Sequence, residues 1–391
     1  MQLVLVSPEK IPGKTNVHSI LSTQIKKALP SRGIHCENVK VDRGYLLAKT
    51  DNEVEAAAII AEFPGVEFSS VIDQVASDYD DLLNGILNVG RKVIFPKQSF
   101  KVSVDVEDPI GYMASDIETV ASAKLVAELA SLGCKIDEIS PLKTIHAKAR
   151  KDSAYVFDLR YEGSGGIPIG VSGTALCPEI GVESTTLANW LVIRMGFEPR
   201  FVMFNLEPYS PHRQLISAAK SIISILRKTP LNKVSMDVIS AGSEIQRMAS
   251  ANPNEAPIIA RLLLGLINGQ LAKKLKCDVL SWPAGINENP LWLMDVSKEF
   301  FNKLGVRLLS SAAFLTLNEI RRDSLLMGLS DESHDVQWLN NLNRFYDHDE
   351  IRNLNSRLDL FEISKKLLNE NLRNIVVTQK STIHSILDNI V

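Results

Sequence analysis

The stretch that decides the fold is GTALCPEIGVESTTLANWLVIRMGFEPRFVMFN, residues 173–205 of a chain of 391 residues. Its hydrophobic pattern predicts a helix near Ser184–Met195 and a buried strand over Phe201–Asn205. Further strands are expected at Lys233–Ile239, Asp278–Ser281 and Val306–Ser310, and further helices near Arg213–Lys228, Ala256–Leu275, Leu291–Leu304 and Leu317–Met327. Continuous apolar strands separated by helices indicate an α/β domain with a doubly wound parallel sheet.

The first 72 residues predict a small α+β unit. Strands are expected at Gln2–Ser7, Cys36–Val41, Tyr45–Lys49 and Val66–Ile72, with one helix over His18–Leu29 and a second from about Asp51. Asn52 and Glu55 have the spacing of a capping box at the start of the second helix. The resulting order, βαββαβ, is the ferredoxin-like pattern.

A second α+β unit is predicted from residue 73 to residue 170. It offers a helix ending at Gly90, a strand with alternating apolar residues at Ser99–Val106, a helix over Asp116–Leu132, and strands at Thr144–Lys148 and Tyr155–Tyr161. Ser115 and Glu118 are expected to form the capping box of the second of these helices. The chain then divides into four predicted domains: 1–72, 73–170, 171–330 and a helical C-terminal extension over 331–391.

The bulk properties favour a cytoplasmic protein. No run of about 18 apolar residues is present, so we expect no membrane span. The apolar run at the start of the chain is short and has no basic segment before it, so we expect no signal peptide. The four cysteines form no CxxC pair, which fits a reducing compartment. The net charge of −3 argues weakly against nucleic-acid binding, since RNA binders usually carry a basic field.

The first strand-to-helix junction of the parallel sheet, residues 175–186, is a candidate ligand site. Ligands of such sheets bind at the carboxyl ends of strands, often on the amino end of the next helix. Here Gly181 precedes three hydroxyl side chains, Ser184, Thr185 and Thr186. Backbone amides at this point could bind phosphate, or the hydroxyls could serve as plain helix caps.

A glycine-rich loop precedes this junction, and more matching residues follow it. The loop has the pattern Gly-Gly-x-Pro-x-Gly at Gly165, Gly166, Pro168 and Gly170, and Arg194, Gly196 and Phe204 follow in register. On these residues the tract Arg160–Asn205 resembles the junction of a THUMP domain with a PP-loop ATP-pyrophosphatase domain. That junction is found in the tRNA 4-thiouridine synthetases, also named for thiamine biosynthesis. The resemblance implies ferredoxin-like, THUMP-like and PP-loop-like domains over residues 1–330, and we expect no rhodanese domain.

The resemblance also implies a site for ATP and Mg²⁺. The family's phosphate loop, Ser-Gly-Gly-x-Asp-Ser, aligns with residues 179–184, and the implied ATP-binding residues are Glu179, Ile180, Gly181, Glu183, Ser184, Phe204 and Arg261. Glu179 and Ile180 replace small residues that let the backbone approach a pyrophosphate, and a carboxylate repels phosphate. Either Mg²⁺ neutralises the negative charge of Glu179, or the loop no longer binds ATP. We favour the second interpretation.

Sulfur transfer in the family relies on a cysteine late in the PP-loop domain, and residues 306–345 contain none. Cys177, just before the altered loop, is the candidate nucleophile, because a helix dipole lowers the pKa of a nearby thiol. The alternative is a buried strand cysteine. A metal site at residues 347–350 with His334 is the other cluster we considered, and we favour a charged helix start there instead.

RNA binding in the family depends on a basic THUMP domain, but residues 71–170 contain 11 Lys and Arg against 15 Asp and Glu. Phosphate neutralisation supplies much of the affinity for RNA, so tRNA binding is expected to be weakened. The candidate RNA-binding residues are Arg91, Lys92, Lys97, Lys101, Lys148, Arg150, Lys151, Gly165 and Gly166. They could form one patch or a solvated surface.

Together these features predict a tRNA-binding protein of the 4-thiouridine synthetase lineage with weakened or lost ATP-dependent adenylation. Two alternatives stay open. One is an active ATP-dependent tRNA sulfurtransferase that adenylates a tRNA uridine and accepts sulfur from a donor protein. The other is a non-catalytic scaffold, which could be a homodimer.

Overall fold

The computed structural model describes residues 3–13, 16–107, 110–282, 304–312, 315–329, 346 and 348–390. Two compact units are present, Met1–Gly165 and Gly166–Val391. The predicted helix Leu291–Leu304 lies, except for its last residue, outside the described residues. So do His334 and Asp347 of the considered metal cluster. The division into four domains stays a prediction.

The first part of unit one has the ferredoxin-like arrangement. Its elements are β1 (Leu3–Pro8), α1 (Val17–Ser31), β2 (Cys36–Asp42), β3 (Tyr45–Thr50), α2 (Glu53–Ala61) and β4 (Val66–Val75). The strands pair antiparallel in the order β2-β3-β1-β4. The side chain of Asn52 accepts a hydrogen bond from the amide of Glu55, so α2 begins where the sequence predicts.

The rest of unit one extends the same sheet. Its elements are α3 (Tyr79–Val93), β5 (Ser99–Val106), α4 (Ala114–Leu129), β6 (Lys135–Ile136), β7 (Lys143–Ala149), β8 (Ala154–Phe157) and β9 (Tyr161–Gly165). Beyond β4 the order is β8-β7-β5-β6. One strand serves both parts, because residues 66–72 of β4 pair with β1 and residues 73–75 pair with β8.

Two local predictions in unit one are wrong. Helix α4 begins at Ala114 with Met113 at the N-cap, and the carboxylate of Asp116 accepts a hydrogen bond from the amide of Met113 at 3.3 Å, so Ser115 and Glu118 do not form its capping box. Glu118 instead accepts a hydrogen bond from the amide of Val104 on β5 at 2.7 Å, so a tertiary contact takes its carboxylate. The predicted strand over residues 155–161 is divided into β8 and β9, which pair with different parts of β4.

Unit two contains the predicted doubly wound sheet. Its elements are β10 (Gly173–Glu179), α5 (Glu183–Arg194), β11 (Phe197–Asn205), α6 (His212–Arg227), β12 (Lys233–Ser240), α7 (Gly242–Ala251), α8 (Ala256–Lys274), β13 (Val279–Ser281), β14 (Arg307–Leu309), α9 (Leu317–Leu326), α10 (His348–Leu358), α11 (Leu360–Glu370), β15 (Leu372–Thr378) and α12 (Ile383–Leu387). The order is β14-β13-β10-β11-β12-β15, parallel except for β15.

The strand order reverses at β10. The chain proceeds from β10 outward through β11 to β12, and then returns to the other side of β10 as β13. Alternate side chains of β10 enter two apolar cores, with Leu176 on one face and Ala175 and Cys177 on the other. In sheets of this kind the ligand crevice lies at the carboxyl ends of the strands where the order reverses. The loop after β10 therefore occupies the position expected of a ligand site.

The C-terminal segment contains an element that the hydrophobic pattern did not predict. Beside the expected helical stretch, now α11, the strand β15 pairs antiparallel with β12 over seven residue pairs. Throughout the described part of the chain, no helix is long and apolar enough to cross a membrane.

Candidate functional site

The loop between β10 and α5 is short and contains Ile180, Gly181 and Val182. Gly181 has a φ of +80°, and a Cβ atom there would come within 2.3 Å of the carbonyl oxygen of Gln214 on α6. Glycine is therefore required twice, for its backbone conformation and for the close approach of α6. The space beside this glycine is filled by protein backbone.

The carboxylate of Glu179 is held by the loop that follows it. Its Oε1 atom accepts hydrogen bonds from the amide of Gly181 at 2.9 Å and from the hydroxyl of Thr185. Its Oε2 atom accepts bonds from the hydroxyl of Thr186 at 3.3 Å and the side-chain amide of Asn189 at 3.5 Å. The side chain is fully buried. An acidic group of this chain thus binds the donors that would face an anion at a helix start.

Burial shifts the titration of this carboxyl group. It raises the pKa of Glu179 from 4.5 to about 7, although the hydrogen bonds from Thr185, Gly181, Thr186 and Asn189 act in the opposite direction. Removal from water disfavours the charged form more than these donors stabilise it. The group consequently exchanges its proton near neutral pH.

The other loop residues are also enclosed by protein. Ile180 and Val182 belong to the apolar core, and the carbonyl oxygen of Ile180 accepts a hydrogen bond from Nε2 of Gln214 at 2.6 Å. The hydroxyl oxygens of Thr186 and of Ser221 on α6 lie 2.9 Å apart, within hydrogen-bonding distance. Ser184 is buried. Helix α6 therefore covers the loop.

The remaining implied ATP-binding residues lie around the loop in different settings. Glu183 begins α5 and forms an ion pair with Arg321 at 3.5 Å. Phe204, on the neighbouring strand β11, packs in the same apolar core as Ile180. Arg261 is buried in α8. Burial raises the pKa of the nearby Tyr209 to about 12, and the positive charge of Arg261 acts in the opposite direction.

Cys177 lies in the middle of the core rather than at a reactive surface. Its side chain is fully buried, and its Sγ atom contacts the carbonyl oxygen of Ala175 at 3.8 Å. Burial raises the pKa of the thiol, with smaller contributions from Cys277 and Glu179. The shift is opposite to the lowering expected from a helix dipole, and its largest cause is the removal of the thiol from water.

The candidate RNA-binding residues of unit one are dispersed, and most pair with carboxylates. Arg91 binds Glu128 through two hydrogen bonds of 2.7 and 2.8 Å. The other ion pairs are Lys92 with Asp73 at 3.3 Å, Lys101 with Glu138 at 3.1 Å, Lys148 with Asp105 at 2.9 Å and Arg150 with Glu107 at 2.6 Å. Lys97 is exposed, and Lys151 follows Arg150 at the end of β7. A phosphate would have to compete with these carboxylates.

Two of these residues, Lys148 and Arg150, line a cleft of about 640 Å³ within unit one. The guanidinium of Arg150 lies 4.4 Å from the ring centre of Tyr45, and the ammonium of Lys148 lies 5.5 Å from it. Other basic residues of the lining are Lys10, His18, Arg43 and Arg160, and its acidic residues are Glu9, Glu67 and Glu107. The cleft is basic on balance and was not predicted as a site, because its residues are distant in sequence.

The two glycines predicted to face RNA have structural roles. The carbonyl oxygen of Gly165 accepts a hydrogen bond from the amide of Gly65 at 2.8 Å. Gly166 has a φ of +81°, and a Cβ atom there would come within 2.3 Å of the carbonyl oxygen of Arg194. Close backbone packing therefore explains the requirement for glycine at position 166.

No group of three or more metal-ligating side chains is present among the residues that the structure describes. Asp349 and Glu350 lie in the first turn of α10, where negative charge favours the helix dipole. Their position is that of the charged helix start expected from the sequence.

These features define a class: an α/β protein with a ferredoxin-like sheet ahead of a doubly wound parallel sheet, whose first loop has the position of a phosphate-binding loop. In sequence the chain is similar to the probable tRNA sulfurtransferase of Methanocaldococcus jannaschii, at 25% identity over 278 residues, covering 69% of this chain and 71% of that protein. It is 23% identical over 222 residues to the probable tRNA sulfurtransferase of Geobacillus kaustophilus, covering 56% of this chain and 54% of that protein. No protein-family profile matches the chain.

Solved structures agree on the fold. A 4-thiouridine synthetase crystallised with RNA and bound ATP superimposes with a TM-score of 0.76 at 15% identity, covering 96% of this chain and all of that one. PH1313 of Pyrococcus horikoshii gives a TM-score of 0.63 at 17% identity and covers 84% of this chain and all of that one. The resemblance to the tRNA sulfurtransferase and 4-thiouridine synthetase family is thereby confirmed, as is the predicted fold class.

Proposed function

We propose that this chain is a tRNA-binding protein of the tRNA thiolation lineage in which ATP-dependent adenylation is weakened or lost. The observation that carries the proposal is the buried carboxylate of Glu179, which accepts the Gly181 amide and two hydroxyls of the loop. The lineage is indicated by the similarity to probable tRNA sulfurtransferases.

The physical argument concerns competition for the same donors. A pyrophosphate bound here would need a hydrogen bond from the Gly181 amide. That amide already donates to the carboxylate of Glu179, which lies only two residues away in the same loop. If Glu179 stayed ionised, two unit charges 4 Å apart would repel by about 4 kcal/mol at an effective dielectric constant near 20. A penalty of that size weakens binding by about three orders of magnitude. Protonation of Glu179 would remove the charge repulsion between its carboxylate and the pyrophosphate, but the side chain would still fill the space that the pyrophosphate needs.

RNA binding is proposed to use the basic cleft of unit one. Its lining brings Lys148, Arg150 and Arg160 beside two aromatic rings, with the guanidinium of Arg160 lying 4.1 Å from the ring centre of Phe68. A concave basic surface with aromatic groups suits a nucleic-acid strand. Glu107 pairs with both Lys148 and Arg150, so the gain from each phosphate contact is reduced. We therefore expect tRNA affinity with a shallow dependence on salt.

The test combines two titrations of the purified protein. Calorimetry with ATP and Mg²⁺ should give no binding heat at millimolar ATP for the wild type. The variant Glu179→Ser restores the small residue of the family loop and should bind ATP measurably. Filter binding with unmodified tRNA should show retention at low salt by both proteins. Micromolar ATP binding by the wild type, or thiolated tRNA on adding a sulfur donor, would refute the loss of adenylation. Failure to retain tRNA would refute RNA binding and favour the scaffold alternative.

A further inference from the structure

Five large apolar side chains are exposed at one edge of unit one. The exposed fractions are 96% for Ile139, 69% for Leu142, 59% for Phe95, 42% for Leu132 and 40% for Ile136. We call this group the edge patch. Single exposed apolar residues are common, but a contiguous set of this kind marks an interaction surface.

The backbone holds the members of the edge patch together. Strand β6, which contains Ile136, pairs with Phe100 of β5 at the end of the sheet. The amide of Leu142 donates a hydrogen bond to the carbonyl oxygen of Ser99 at 3.1 Å. The amide of Lys97 donates a hydrogen bond to the carbonyl oxygen of Leu132 at 2.9 Å. The thiol of Cys134, next to β6, donates to the carbonyl oxygen of Phe95 at 3.4 Å. All five side chains therefore surround the start of β5.

The most exposed residue is presented by an ordered turn. The Oδ1 atom of Asp137 accepts hydrogen bonds from the amides of Ile139 at 3.1 Å and Ser140 at 2.9 Å. These bonds, with a smaller contribution from Lys135, hold the pKa of Asp137 below its usual range. The turn is thus fixed by its own carboxylate while Ile139 remains in solvent.

Two exposed lysines that form no ion pair within the described ranges lie beside the edge patch. Lys97 and Lys135 are both exposed there, and among the described residues no carboxylate lies within ion-pairing distance of either ammonium. The two acidic residues of the turn are already engaged, since Asp137 accepts its own turn amides and Glu138 pairs with Lys101 at 3.1 Å. The surface therefore offers apolar contact beside two lysines whose ammonium groups form no ion pair in the part of the chain that the structure describes.

We propose that the edge patch docks a protein partner whose apolar side chains are rimmed by carboxylates. Such a partner buries the five apolar groups and pairs with both lysines. A second copy of this chain would bring lysines against lysines around a two-fold axis, which like-charge repulsion opposes. A nucleic-acid backbone would pair with the lysines but would leave the apolar side chains against phosphates.

The experiment uses the full chain and three fluorescein-labelled amphipathic peptides, built from leucine and glutamate, leucine and lysine, or serine and glutamate. In anisotropy titrations the leucine–glutamate peptide should bind at least about tenfold more tightly than either of the others. Ile139→Asp should weaken that binding at least about tenfold. Leu326→Asp, at an exposed apolar residue of unit two, is the matched control and should leave it unchanged. The charge reversal Lys97→Glu with Lys135→Glu should shift the preference to the leucine–lysine peptide.

Three results would overturn the proposal. The first is equal binding of all three peptides, or binding that Ile139→Asp does not weaken. The second is a dimer of the full chain, detected by mass photometry, that Ile139→Asp dissociates, which would assign the edge patch to a second copy. The third is loss of tRNA retention in the Ile139→Asp variant, which would assign it to RNA.

Discussion

The carboxylate of Glu179 accepts a hydrogen bond from the amide of Gly181 at 2.9 Å, and this contact closes the first loop of the parallel sheet with a side chain of the same loop. Because the Glu179 carboxylate is attached to the chain only two residues from Gly181, its effective concentration at the Gly181 amide is high. Any free anion must displace it before it can bind that amide. The altered loop is thus a folded arrangement with its own internal acceptor.

The titration of Glu179 predicts how stability depends on pH. Because the folded pKa is raised from 4.5 to about 7, the folded state retains a proton that the unfolded state releases between these values. The free energy of unfolding should therefore fall as pH rises from 4.5 towards 7 and level off above it, by a contribution on the order of 3 kcal/mol.

The measurement is urea unfolding of the wild type and the variant Glu179→Gln between pH 5 and pH 8. Fluorescence of the buried Trp190 on α5 would report on this unit. The difference in stability between wild type and variant isolates this one group. A constant difference across the range would contradict a carboxyl group that titrates near neutral pH.

Gly181→Ala is expected to destabilise unit two by about 2 kcal/mol or more, since it adds a backbone clash to an unfavourable φ. The matched control is Gly170→Ala. Gly170 has a φ of +88°, but no atom lies within 4 Å of the Cβ position, so only the conformational cost of about 1 kcal/mol applies. Thermal unfolding of both variants compares the two costs. Equal losses would mean that α6 can move away from the loop.

Cys177 is expected to resist alkylation in the native protein. Its thiol is fully buried and its pKa is raised, whereas Cys36 is only partly buried. Iodoacetamide treatment at pH 8 followed by peptide mass spectrometry should modify Cys36 first and Cys177 only after denaturant is added. Rapid native modification of Cys177 would restore it as a candidate nucleophile.

Arg150→Ala should destabilise unit one by about 2 kcal/mol, because it removes a buried guanidinium and its charge-assisted bond to Glu107, while Glu107 keeps its contact with Lys148. The guanidinium also donates to the carbonyl oxygens of Asp42 and Arg43 at 3.1 and 3.2 Å. Lys92→Ala, which removes an exposed ion pair with Asp73, should cost less than about 1 kcal/mol. Hydrogen exchange of peptides from β3 and β7 would measure both effects. Equal exchange rates in the two variants would show that Arg150 has no larger structural role.

The fold could be predicted from the sequence wherever a local pattern determines an element. The two apolar stretches on either side of the turn residues Asp42, Arg43 and Gly44 predict β2 and β3, and the structure pairs these strands antiparallel with Asp42 opposite Tyr45. The parallel strands of unit two were predicted from their apolar runs. The missed strand β15 has polar residues such as Arg373 and Asn374, because it lies at the edge of the sheet and one face remains in solvent.

The candidate site could be predicted only in part, since its chemistry depends on tertiary contacts. The exchange of a small residue for Glu179 is visible in the sequence. Its burial beneath α6 and its bonds to Thr185 and Thr186 are not. The pairing of the basic residues was hidden in the same way: Arg91 and Glu128, for example, lie 37 positions apart on two helices.

Strand β4 has a consequence for how this protein can be divided and recombined. It pairs with β1 through residues 66–72 and with β8 through residues 73–75, so a cut between residues 72 and 73 passes through one continuous strand. A fragment ending at residue 72 would lack β9, which pairs with residues 66–69 of β4, and a fragment beginning at residue 73 would contain β9 without that partner. The ferredoxin-like part is therefore not a detachable module. Grafts or gene fusions that retain its fold have to transfer residues 1–165 intact.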